Sequence, residues 1–285
     1  MRYAISLGNS KLGRATLDHL LDAGVCSEDL TVIARTPSKV ADLGQRGVQV
    51  REGSYGDDAS MVAALRGVDR LLMVSGMAGP DERRAQHRGI ISAAVEAGVQ
   101  RIVYTSFIDT HEGSPFFAWA INKDSEAALA DSGVGFTVLR NGMYSEADLD
   151  HASAYIQAGE VANNIGPDAK ISYISRHDMA LAATRCLLDD GHEGRTYTLT
   201  GPVALTQVQL AEQLSTFVGQ DLPYRTVEDE AYAATFPDPY WGRLVVDLYK
   251  MVRLGYAAEI TDDFERITGR PAWTLAETWQ QLYTH

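Results

Sequence analysis

Short, almost wholly apolar runs alternate with amphipathic stretches through the first half of the chain. Residues 2–7 read as a strand, and 12–24 as a helix with Leu12, Ala15, Leu17, Leu20 and Leu21 on one face. Residues 30–34 read as a second strand. Pro37 then opens a helix at its first turn, where a missing N–H costs nothing. A third strand at 48–51 precedes a helix that starts at Asp57 and runs through Leu65. The run RLLMV at 70–74 is a fourth strand, followed by a helix over about 82–97 that closes at Gly98. The run RIVYT at 101–105 is a fifth; residues 106–115 continue it as a loop before a helix at 117–132, and 136–139 is a sixth. Parallel strands covered on both faces are short and nearly all apolar, as these are. Joined by crossover helices they wind right-handed, which predicts an α/β fold with a doubly wound parallel sheet of Rossmann type.

After Asn141 helical patterns dominate, at 146–158, 177–189, 206–218, 227–235, 240–253 and 273–283, with short extended pieces at 171–175 and 196–200. This predicts a dinucleotide-binding domain over 1–145. Residues 146–285 would form a smaller, mostly helical substrate lobe interwoven with the sheet, with a cleft at the carboxyl ends of the strands.

Charge narrows the function. With 25 Lys+Arg against 38 Asp+Glu the net charge is −13, which leaves no basic footprint for nucleic acid. No apolar run approaches the roughly 18 residues of a membrane span. The amino terminus enters the first strand with no charged-then-apolar leader, so the chain reads as soluble and cytoplasmic. Cys26 and Cys186 show no ligand spacing and read as buried free thiols.

The first βα turn, Ser6-Leu7-Gly8-Asn9-Ser10-Lys11-Leu12-Gly13, is where a dinucleotide pyrophosphate would lie. Gly13 suits the last glycine role, close packing of helix on strand. In one alignment Leu7 and Ser10 take the other two glycine positions, leaving Leu7 with a left-handed backbone costing about 1–2 kcal/mol and placing a β-carbon at the phosphate. In the other, Gly8 is the first glycine of a shorter loop. Arg35 stands 22 residues after Gly13, where an acid would select NAD; with Lys39 it favours the 2′-phosphate of NADP, or else is a solvated surface residue. None of the 13 tyrosines has Lys four residues later, which excludes the Tyr/Lys acid of classical short-chain dehydrogenases. Ser75 and Thr105 end strands beside the expected nicotinamide. Ser106, Phe107, Asn141 and Tyr144 are candidates for holding a planar substrate; Arg140 and Asn141 have a structural alternative in tying the lobes together. No metal-ligand cluster, carboxylate dyad or nucleophile elbow is present in the sequence, and no catalytic group is assigned.

The chain resembles the NmrA-like atypical short-chain dehydrogenases, most closely their NADPH:quinone oxidoreductase branch with the related triphenylmethane reductases. The resemblance spans nearly the whole chain. It is carried by Ala34-Arg35-Thr36-Pro37-Ser38-Lys39, Ala64-Leu65-Arg66-Gly67-Val68-Asp69, Gln86-His87-Arg88, Tyr104-Thr105-Ser106, Leu139-Arg140-Asn141-Gly142, Gly191-His192-Glu193-Gly194-Arg195-Thr196-Tyr197 and Thr268-Gly269-Arg270-Pro271. Two departures stand out. The family's first turn is usually TGATGxLG, and the family often has His or Lys four residues before the glutamate matching Glu126, where this chain has Asn122, which the resemblance places at the substrate.

The resemblance implies an NADPH-dependent reductase of quinones or similar planar conjugated molecules. Gly8, Ser10, Gly13, Arg35, Lys39, Ser75 and Thr105 would face NADP. The partner would be a small planar organic substrate, and a homodimer is allowed. Two alternatives remain open at this level: a non-catalytic NAD(P)-sensing regulator, and a cofactor-independent cyclase or isomerase acting on an aromatic or polyketide-like metabolite.

Overall fold

A computed structural model describes residues 1–283. Its contacts divide the chain into two compact units, each gathered from three segments: 1–107, 120–140 and 176–197 in the first, and 108–119, 141–175 and 198 onward in the second.

The first unit is built on β1 (Tyr3–Ile5), β2 (Leu30–Ala34), β3 (Gln49–Glu52), β4 (Arg70–Met73), β5 (Arg101–Phe107) and β6 (Gly135–Asn141). Every residue of β1, β2 and β4 is buried, and apart from Thr31 and Arg70 their composition is apolar, as cover on both faces requires. β1 pairs in parallel with both β2 and β4, β2 with β3, and β4 with β5. From one edge the order is Arg195–Leu199, β6, β5, β4, β1, β2, β3. The order in which strands are added to the sheet therefore reverses between β1 and β4, the position where Rossmann sheets open a crevice.

The strand Arg195–Leu199 comes from the segment that the sequence reading gave to a lobe interwoven with the sheet. It is the seventh strand of the main sheet. Only Tyr197 and Leu199 of its five residues are buried, the alternation of an edge strand, and such a pattern does not say which sheet it joins.

The helices are α1 (Lys11–Asp22), α2 (Ala41–Gln45), α3 (Asp58–Leu65), α4 (Pro80–Ala97) and α5 (Ala118–Asp131). Asp57 caps α3 by accepting from Ser60 N–H at 3.0 Å. Gly98 ends α4 with a left-handed φ of 81°. After Pro37 the expected helix is a short 3-10 turn over Pro37–Val40 followed by the five residues of α2. Gly47, with φ 84°, then turns the chain into β3, which leaves no length for more helix. One core cluster joins Ala4, Ile33, Leu71 and Met73 of the sheet to Met61 and Leu65 of α3 and Ile90 of α4.

At the amino ends of β4 and β5, Arg70 and Arg101 are buried. Arg70 donates to Leu187 O at 2.5 Å and Leu188 O at 2.9 Å, and Arg101 to Asp189 O at 2.7 Å. These are carbonyls left over at the carboxyl end of the helix Arg176–Leu188. Cys186 in that helix is a buried free thiol, with burial pushing its pKa up to about 12, whereas Cys26 is on the surface rather than buried.

The second unit contains an antiparallel pairing of Ala204–Thr206 with Lys170–Ile174, flanked by Met143–Tyr144 in parallel. Trp279 is fully buried and donates from its indole to Ser145 O at 2.8 Å. The helix expected over 146–158 is two pieces, Ala147–Asp150 and Ala152–Ala158. They part where His151 N–H turns back to Asp148 O at 3.2 Å. Asp148 is buried against Tyr173, and desolvation raises its carboxyl pKa to about 6. Among the described residues no helix is long and apolar enough to cross a membrane.

Candidate functional site

A cavity of about 500 Å³ opens at the carboxyl ends of the strands in the first unit. Its walls are the turn after β1 (Leu7, Asn9, Ser10), the segment after β2 (Arg35, Thr36, Lys39), the segment after β3 (Gly53, Ser54, Tyr55) and the loop after β4 (Gly76, Met77, Ala78). Such loops converge on the crevice at the β1/β4 reversal, where ligands of doubly wound sheets bind.

The first turn keeps the form of a nucleotide turn without all its glycines. Leu7 has φ 49°, and among the described residues it is the non-glycine with a positive φ. It therefore stands in the first glycine position, as one of the two alignments requires. Its side chain packs against the core cluster, so burial offsets a backbone strain of about 1–2 kcal/mol. Ser10 N–H closes the turn onto Leu7 O at 2.8 Å, and the Ser10 hydroxyl caps α1 by accepting from Gly13 N–H at 3.0 Å. A β-carbon on Gly8 would collide with Val32, and one on Gly13 would stand 2.9 Å from Ser10 Oγ and 3.1 Å from Leu7 O. Both glycines thus serve close packing of turn, strand and helix rather than lining the cavity.

Arg35 and Lys39 both reach the cavity and are exposed, and their charged ends make no hydrogen bond or ion pair with any described residue. Two unpaired cations four residues apart on one wall are an anion site by composition. On the floor, the Tyr55 hydroxyl lies 2.5 Å from Ser6 Oγ and 2.6 Å from Val74 O, tying the segment after β3 across the ends of β1 and β4. Burial raises the Tyr55 phenol pKa well above its usual value, so the phenol stays neutral.

Ser75 and Thr105 meet each other behind the cavity wall. Ser75 N–H donates to Thr105 Oγ1 at 2.9 Å, and Arg83 donates to Ser75 Oγ at 2.6 Å. Buried His87 completes this brace. Because Ser125 Oγ gives its proton to Ile121 O at 2.8 Å, it accepts from His87 Nδ1 at 2.8 Å. His87 Nε2 is then an acceptor facing Gly76 N–H at 3.4 Å. Desolvation, with the Arg83 charge adding to it, pushes the His87 pKa down to about 3, so the imidazole is neutral.

The substrate candidates separate. Ser106 and Phe107 lie on β5, not in a loop, because that strand runs on through Phe107. Ser106 Oγ donates to Glu126 Oε1 at 2.7 Å, and Arg140 grips the same carboxylate at 3.0 and 2.6 Å. Asn122 accepts from the Tyr104 hydroxyl at 2.9 Å, and its buried Nδ2 has no hydrogen-bond partner among the described residues. Desolvation pushes the Tyr104 pKa up to about 12. Asn141 and Tyr144 belong to the second unit, Asn141 buried and Tyr144 exposed. Of the cofactor candidates, the cavity collects Ser10, Arg35 and Lys39; Ser75 and Thr105 support its wall. Sequence reading missed Asn9, Thr36, Ser54, Tyr55 and the Gly76–Ala78 loop. Their signal was position alone, since each follows the carboxyl end of one of the strands β1 to β4.

A protein-family profile described as NAD(P)H-binding matches residues 8–190. The chain is 34% identical over 284 residues to quinone oxidoreductase 2 of Escherichia coli, covering 98% of each chain. It is 30% identical to an NAD(P)H azoreductase of Xenophilus azovorans, covering 86% of each. Among solved structures, an E. coli NADPH-dependent quinone oxidoreductase in complex with NADPH superposes with a TM-score of 0.91 at 33% identity, over 99% of this chain and 100% of that one. Citrobacter sp. triphenylmethane reductase with NADP(H) gives 0.92 at 26% identity, over 99% and 100%.

Proposed function

The chain belongs to the NAD(P)H-binding family, and on that premise we propose that it is an NADPH-dependent reductase passing hydride to a quinone or a similarly planar, conjugated acceptor. The observation that carries this reading is the pair Arg35 and Lys39, cations without a partner among the described residues, on the wall of a cavity at the β1/β4 reversal. NADP fits these residues. Its 2′-phosphate suits the guanidinium and ammonium, the first turn and the start of α1 suit the pyrophosphate, and about 500 Å³ falls within the size range of ligand sites.

When bound, the nicotinamide supplies the hydride. The chain positions and shields. Tyr55 holds the floor across the two central strands, and the His87–Ser75–Thr105 brace fixes the loop after β4. No activated acid is required, because a quinone that accepts hydride becomes a resonance-stabilised phenolate. Both Tyr55 and Tyr104 are held protonated by burial, in keeping with that requirement. The cavity stays open despite the side chains of Leu7 and Ser10, which favours a cofactor over a cleft adapted to work without one.

Calorimetric titration with NADPH and NADH, followed by NADPH oxidation against a quinone panel, tests the reading. Binding that prefers NADPH and turnover with at least one quinone are expected. No heat up to millimolar NADPH would overturn it, and binding without turnover would make the chain a sensor.

A further inference from the structure

We propose that the Ser10 hydroxyl is an internal competitor for the dinucleotide's pyrophosphate, and that it makes Ser10 the residue setting how loosely this chain holds its cofactor. The inference rests on the NADPH reading and adds an affinity-setting residue to it.

The first turn of a helix offers phosphate aligned N–H donors and a partial positive charge. Ser10 lines the cavity at the start of α1, and its Oγ already accepts from Gly13 N–H at 3.0 Å. A phosphate oxygen that reaches this N–H must displace the hydroxyl, so the gain is reduced to the difference between a charge-assisted and a neutral hydrogen bond. A glycine at this position would leave the donor unclaimed and remove the β-carbon as well. The hydroxyl has little freedom to yield sideways. Ser10 N–H is tied to Leu7 O at 2.8 Å, and Gly13 is packed so closely that a β-carbon there would already press on Ser10 Oγ at 2.9 Å.

Leu7, the other departure in the turn, acts differently. Its positive φ reproduces the glycine-type bend, and its side chain is committed to the core cluster. Backbone shape is thus preserved at a cost in strain, and that cost is the same in the free and bound protein. The affinity effect falls to Ser10.

The probe is NADPH, titrated by calorimetry into the full-length wild type and into S10G, S10A, S10T, L7G and R35A. S10G is expected to tighten NADPH binding roughly fivefold, the worth of about one net hydrogen bond. S10A should tighten it less, because the β-carbon remains, and S10T should match the wild type by keeping the hydroxyl. L7G should leave the dissociation constant within about twofold. The NADPH-over-NADH preference should stay constant across the Ser10 series. A second readout is thermal unfolding: free S10G should melt slightly lower than wild type through loss of the cap, while its stabilisation by saturating NADPH should be larger. If wild type binds NADPH and R35A weakens it, yet S10G and S10A bind no tighter, the Ser10 assignment is wrong and the cofactor reading stands. If no protein in the series binds NADPH at millimolar concentration, the cofactor reading falls and takes this one with it.

Discussion

Gly8 rests against Val32 so closely that a β-carbon on Gly8 would collide with Val32 Cγ1, and its N–H donates to Ile33 O at 3.0 Å. The turn that follows β1 is therefore docked directly onto β2. Gly8→Ala should cost about 1–3 kcal/mol through overpacking. Val32→Ala alone should also destabilise, by creating a cavity. In the double variant the two defects cancel in part, so urea unfolding should show a loss smaller than the sum by about 1 kcal/mol or more. Strict additivity would mean that the turn relaxes away from β2 without cost.

Arg35 has no anionic partner among the described residues. Its replacement should leave stability within about 0.5 kcal/mol, as for surface changes away from packed features. Arg35→Ala should weaken NADPH by about tenfold, in the range of a charge-assisted hydrogen bond, while NADH binding is nearly untouched. Lys39→Ala should do the same to a smaller degree. Equal loss for both coenzymes would remove the 2′-phosphate from this wall of the cavity.

His87 is held neutral by burial, with a pKa near 3 instead of the usual 6.5. Between those values the unfolded chain takes up a proton that the folded one refuses, so folded stability falls as pH drops from about 6.5 toward 3. The full effect is on the order of 3–5 kcal/mol. His87→Gln can keep a donor toward Ser125 and an acceptor toward Gly76, and should flatten this part of the acid limb. Melting curves of the two proteins at a series of pH values from neutral to acid test it; parallel profiles would show that His87 does not shape the limb.

Asp148 works in the opposite sense. Its carboxyl pKa is raised to about 6 from the usual 3.8. The folded state therefore binds the proton first as pH falls, and stability rises through that window. Above about pH 6 the buried charge imposes its full penalty. Asp148→Asn should stabilise the protein by up to about 3 kcal/mol at pH 8 and by almost nothing near pH 4. A gain independent of pH would point to packing instead of charge.

The central strands were legible because nothing but apolar residues fits a position covered on both faces, as at Tyr3–Ile5 and Arg70–Met73 apart from their ends. The bend at Leu7 was legible only as one of two alignments of the first turn, because a positive φ at a non-glycine leaves no mark in the sequence and the backbone alone chooses Leu7 over Gly8. Tyr55 was not. It follows β3, a half-exposed strand with no distinguishing pattern, and its reach to Ser6 and Val74 exists only once β1 and β4 are neighbours. Ser75 and Thr105 show the same limit, since their chain positions placed them near the site but could not say that they would spend their hydrogen bonds on each other.

The edge position of Arg195–Leu199 beside β6 has a consequence for biosynthesis. A nascent chain that has emerged only through β6 carries that strand's outer row of amides and carbonyls unpaired, a template for sticking to other chains. The ribosome must deliver more than fifty further residues before the covering strand arrives. Chaperone demand during translation should therefore peak over that interval, and amino-terminal fragments stopping short of residue 195 should aggregate when produced alone.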